Sequence, residues 1–166
     1  MELVERVSLV SRRSFVLLGL GAGLSACTQY APTTATAPTD VTPQEMVDAI
    51  NGIRKQVGGT ALTYSPLLAQ VARNQARAMV AHDTLSHDFG ENLRARATDV
   101  NYHGPIGENL AGGQRTLEQA LEGWMNSAGH RSTLLSNMWT SVGMVVATGK
   151  PGSRYGVFWA ADFGVA

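Results

Sequence analysis

"SVGMVVATGKPGSRYGVFWAADF", Ser141 to Phe163, decides the architecture. Two runs rich in Val, Met, Phe and Trp flank Gly149-Lys150-Pro151-Gly152-Ser153, a cluster that interrupts any regular element. β-branched and aromatic residues on both sides of such a break read as an antiparallel hairpin. Val142, Val145, Val157, Phe158 and Trp159 then need a core, so helices must cover at least one face of the sheet.

Those helices are legible upstream, where the apolar period lengthens. Thr42-Pro43-Gln44-Glu45 is a capping box with proline at the first helical position. Met46, Ile50, Ile53 and Val57 follow on one face, and Gly58-Gly59 ends the helix. Ser65-Pro66 opens a second helix to about His82, with Leu68, Ala72, Ala76 and Met79 on its inner side. A third box, Thr116 to Gln119, starts a helix that buries Leu117, Leu121 and Trp124. "SAGHRSTLLSN" follows as a short helix expected to be capped by Ser127. Three or four helices followed by a terminal sheet make an α+β plan.

Between the second and third helices the letters Gly-Glu-Asn-Leu occur twice, at 90–93 and 107–110. The first copy runs into "RARATD", which has helical propensity and makes Glu91 a solvated helix residue. The second runs into Ala111-Gly112-Gly113, read as a flexible segment that lets an acid point into a cleft. Similarity does not extend beyond the four letters, which argues against a duplicated unit.

The ordered set "LSH", "GPIGENLAGG", "TLEQALEGWMNSAGHRSTLL", "SVGMVVA" and "YGVFWAADFG" resembles the CAP superfamily. This is the cysteine-rich secretory, antigen-five and pathogenesis-related group, also called SCP domains. The resemblance spans about Thr42 to Gly164, is closest to bacterial members with W-x-x-S-x-G-H-R, and implies a three-layer α-β-α sandwich. It also implies a cleft lined by two histidines and acids. On the matching positions these are His87, Glu108 and His130. Ser127 stands where many eukaryotic members have a fourth, acidic residue, and the disulfides of those members are missing.

Two imidazoles and a carboxylate form a set that can hold Zn²⁺ or another divalent metal with a position left for water. His130, in the first turn of its helix, should have its cationic form disfavoured by the dipole. Asn109 is expected to hydrogen-bond the glycine-rich turn. His82 and His103 lack the motif context and read as surface residues, and the three tryptophans as core or cleft wall. A binding module for lipid, sterol-like or peptide ligands is the first functional reading. A metal-dependent hydrolase of envelope peptides or esters and a structural protein with a relic cleft are the alternatives, since no nucleophile elbow is visible.

The N-terminus speaks to location. Arg12-Arg13 precede an apolar run, Val16 to Ala26, too short to span a bilayer. This reads as a signal peptide over residues 1–26 of the twin-arginine type. Leu24-Ser25-Ala26-Cys27 resembles a lipobox, making Cys27 the lipidation site and the membrane the partner of that lipid. Cys27 is the sole cysteine, so no disulfide or thiolate ligand is left. Residues 27–40 are rich in Thr, Ala and Pro and read as a disordered tether, leaving 41–166 as the CAP/SCP domain. The expected place is the envelope side of a bacterial membrane. A formal net charge of zero, with no basic cluster beyond the signal, argues against nucleic acid.

Overall fold

The computed structural model describes residues 40–166. The expected signal, lipobox and most of the tether lie outside the described residues. Each helix start foreseen from a box is present. α1, Pro43–Gln56, carries the reciprocal Thr42–Glu45 capping box. α2, Pro66–His82, follows Ser65, whose hydroxyl accepts the Leu68 N–H at 3.3 Å. A short helix, α3, spans Leu93–Asp99 and is capped by Asn92. α4, Leu117–Asn126, is capped by Thr116, and α5 covers Ala128–Leu135. Each such cap satisfies an otherwise orphaned N–H and contributes about 1 kcal/mol.

Four strands interleave with these helices: β1 (Thr63–Tyr64), β2 (Ile106–Gly112), β3 (Ser141–Thr148) and β4 (Val157–Gly164). The spatial order is β1-β3-β4-β2, with β1 parallel to β3 and the other pairs antiparallel. The β3–β4 hairpin is as read from the sequence. The Gly-rich segment is not. Ile106 to Gly112 is a strand paired along its whole length with β4, from Ile106↔Gly164 to Gly112↔Phe158. Its glycines mark close approach rather than flexibility: a Cβ on Gly112 would sit 2.9 Å from the Tyr155 ring.

Alternation divides the sheet into two buried faces. Val142, Met144, Trp159, Ala161 and Phe163 pack with Met46 and Ile50 of α1, Leu121 and Trp124 of α4, and Leu134 of α5. On the other face Leu110, Phe158 and Ala160 meet Ala72, Ala76 and Met79 of α2. Leu68 and Val71 of α2 pack with Ala97 of α3 beside them. The result is a three-layer α-β-α sandwich. Each of the three tryptophans donates its indole N–H at 2.8 Å to a backbone carbonyl: Trp124 to Leu110, Trp139 to Thr133 and Trp159 to Gln114. They are core residues.

Candidate functional site

β2 is an edge strand, and two consecutive residues on it, Glu108 and Asn109, point to opposite faces of the sheet. Glu108 reaches the loop after α2: its Oε1 lies 2.8 Å from His87 Nδ1. Asn109 reaches the first turn of α5, where its Nδ2 donates to the His130 carbonyl at 2.9 Å. The second Gly-Glu-Asn-Leu copy therefore holds two histidine-bearing segments, one from each helical layer, against a single strand. Asn109 was expected to bond the glycine-rich turn; that turn is a strand, and the amide bonds α5 instead.

Glu108 is buried, with 2% of its side chain exposed, and it is not free. Arg96 of α3 donates from Nη2 to Glu108 Oε2 at 2.7 Å. The same guanidinium donates from Nη1 to the carbonyls of His87 at 3.0 Å and Glu91 at 2.8 Å. Arg96 thus ties the carboxylate and the histidine loop together. Both repeat copies meet at this arginine. Glu91, however, is an exposed loop residue preceding the cap, not a helical one, because Asn92 takes the N-cap role and starts α3 after it.

The surroundings shift the two imidazoles in opposite directions. The Glu108 hydrogen bond raises the His87 pKa above its ordinary 6.5, against partial burial and the Arg96 charge. Burial first, and the His87 charge second, lower that of His130. The direction for His130 is the one expected from sequence, with burial as its first cause. The His87 side chain is 60% exposed, so the ring that Glu108 orients is open to solvent. His130 and Ser127 are half-buried. Ser127 occupies the N-cap position of α5 but its side chain makes no capping hydrogen bond; position alone suggested one.

Behind Glu108 the structure holds an acid the sequence reading passed over. Asp162 of β4 is the direct cross-strand neighbour of Glu108 and is fully buried. Burial and the Glu108 charge push its pKa well above the carboxylate range, with Arg96 opposing. Neither Asp162 nor Arg96 was foreseen, although each left a signal. Arg96 falls three residues after Leu93, beside Ala97 on the inner side of α3. Asp162 is a lone charge in the apolar run "VFWAADF".

Among the described residues, no group of three or more His, Cys, Asp or Glu side chains is placed to hold a metal ion. The reason is visible at Glu108, whose two oxygens are engaged by Arg96 and His87. Glu108 stands behind His87 and orients its ring through Nδ1.

A mixed sheet between two helical layers, with a glutamate-held histidine and a second histidine-bearing segment on one edge strand, defines an α-β-α sandwich. Residues 47–163 match the model of the cysteine-rich secretory protein family, CAP. The chain belongs to that family. It is 30% identical over 125 residues to YkwD of Bacillus subtilis, covering 72% of this chain and 48% of YkwD. Among solved structures it is similar to an extracellular SCP-domain protein of Bacillus anthracis, with TM-score 0.65 and 28% identity over 74% of this chain and 40% of that one. An outer surface protein of Borrelia burgdorferi shares the fold at TM-score 0.66 and 20% identity, over 80% of this chain and 98% of that one. The chain spans about half the length of YkwD and less of the Bacillus anthracis protein.

Proposed function

We propose that this chain is an exported lipoprotein, anchored to a bacterial membrane through Cys27, whose CAP domain is a binding module of the cell envelope. The observation that carries the binding reading is the engagement of Glu108 by Arg96. A carboxylate paired with a buried guanidinium is a poor general base, but a good fixed anchor for the imidazole it orients. His87, its Nδ1 held by Glu108, turns its outer nitrogen to solvent, as a donor when the ring is protonated and as an acceptor or ligand when it is neutral. His130 supplies a second imidazole whose charged form burial disfavours. That combination suits a lipid headgroup or a peptide, where anionic and hydrogen-bonding groups lie close together. Zinc or another divalent cation, if taken up, would be held by His87 and His130 and would supply a further positive charge for an anionic ligand.

The test is to recover the full-length protein from bacterial membranes and identify co-purifying lipids and peptides by mass spectrometry, with elemental analysis alongside. Wild type should carry a ligand that a folded His87→Ala/His130→Ala variant lacks, and Cys27→Ala should move the protein to the soluble fraction. Identical cargo in both proteins would remove the cleft from the proposal. Membrane retention of the Cys27 variant would remove the anchor.

A further inference from the structure

Among the described residues the sheet has a second open edge, on the side away from β2. β1 pairs only Thr63 and Tyr64 with Ser141 and Val142. From Gly143 to Thr148, β3 therefore has β4 as its sole strand partner among the described residues. The Ser65 N–H donates to the Val142 carbonyl at 2.9 Å, which shows that Val142 directs its backbone groups outward. Alternate residues are equivalent, so Met144, Val146 and Thr148 direct theirs to the same side. Unpaired strand groups of this kind invite another strand. Edges are ordinarily blunted by lysine, proline or an acid; "MVVAT", Met144 to Thr148, contains none.

This edge is the floor of a groove of about 310 Å³. Pro43 and Met46 of α1 form one wall, Ala69 and Arg73 of α2 the other, and Tyr64 closes the end where β1 stops. Its volume falls at the lower end of ligand pockets, about 300–1,000 Å³. Among the described residues Arg73 is the one charged residue of the lining; its Nη1 donates to Gln70 Oε1 at 2.8 Å, and no described carboxylate forms an ion pair with it. Apolar walls, an open ladder and one cation define the occupant's chemistry.

We infer that this groove takes an extended segment of a partner protein, added to the β3 edge as a strand. An apolar side chain enters between Met46 and Ala69, and a carboxylate meets Arg73. Main-chain pairing gives such a complex its affinity, and the alternate side chains give it selectivity. About six residues, roughly 20 Å of strand, cover Gly143 to Thr148. The histidine cleft lies at β2, the opposite edge of the sheet, so the two sites can be filled independently.

The experiment uses full-length protein in mild detergent and a fluorescent, terminally blocked peptide, Thr-Val-Glu-Val-Thr-Val. Saturable anisotropy is expected at micromolar peptide, with amide-exchange protection of Met144 and Val146. Replacing the peptide glutamate with lysine should weaken binding at least about tenfold, and Arg73→Glu should reverse that preference. Methylating alternate peptide nitrogens should abolish binding in the one register whose N–H groups face β3. Absence of saturable binding to about 1 mM overturns the proposal. So does binding indifferent to N-methylation, or full displacement by palmitate without any protection of the β3 amides.

Discussion

Gly143→Ala is expected to cost more than about 3 kcal/mol, at or beyond the upper end of overpacking penalties. A Cβ built there lies 1.9 Å from the Ala69 nitrogen, 2.4 Å from the Leu68 carbonyl carbon and 2.5 Å from Ala69 Cα. These are backbone atoms in the first turn of α2, so no rotamer change relieves the overlap. The helix itself must lift from the sheet, carrying with it Leu68, Val71 and Ala72, all fully buried. Gly52 is the natural control. It lies within α1 and an added Cβ meets nothing within 4 Å, so Gly52→Ala should stabilise by about 0.5–1 kcal/mol through helix propensity. Thermal or denaturant unfolding of the two variants decides the matter. A Gly143→Ala protein within about 1 kcal/mol of wild type would mean that α2 does not rest directly on β3.

Arg96→Met should be nearly as damaging, for an electrostatic reason. Both Arg96 and Glu108 are buried, and removing one partner of a buried ion pair costs about 3–5 kcal/mol. On a domain of this size that is a fall of about 10–15 °C in Tm. The loss comes from the carboxylate left without its cation, so Arg96→Met/Glu108→Gln should recover much of the stability at neutral pH, because no buried charge is then left unpaired. A single variant that unfolds like wild type would show that Arg96 does not neutralise the carboxylate.

How far the sequence led is clearest from its capping residues and its glycines. Thr42, Ser65 and Thr116 each begin a helix because their hydroxyls accept an N–H three residues on, a local effect that a single chain segment displays. The β3–β4 hairpin was equally local. β2 was not: Ile106 to Gly112 has glycine at both ends of its polar centre and owes its extended form to β4, about fifty positions later. Arg96 was hidden as well, although its partner Glu108 lies only 12 positions on. Its charge suggested solvent, and only the tertiary meeting of α3 with β2 shows it beneath Glu108. His87, Glu108 and His130 were found through the family pattern. Their pairing with Arg96 and Asn109 required the fold.

β2 holds the segments that carry His87 and His130, with Glu108 fixed between Arg96 and His87. NMR titration of the two imidazoles in wild type, Glu108→Gln and His87→Ala tests this arrangement. His87 should titrate above 6.5 and His130 below it. Glu108→Gln should lower the His87 midpoint, and His87→Ala should raise that of His130. Two histidines that each titrate near 6.5, indifferent to both substitutions, would contradict it.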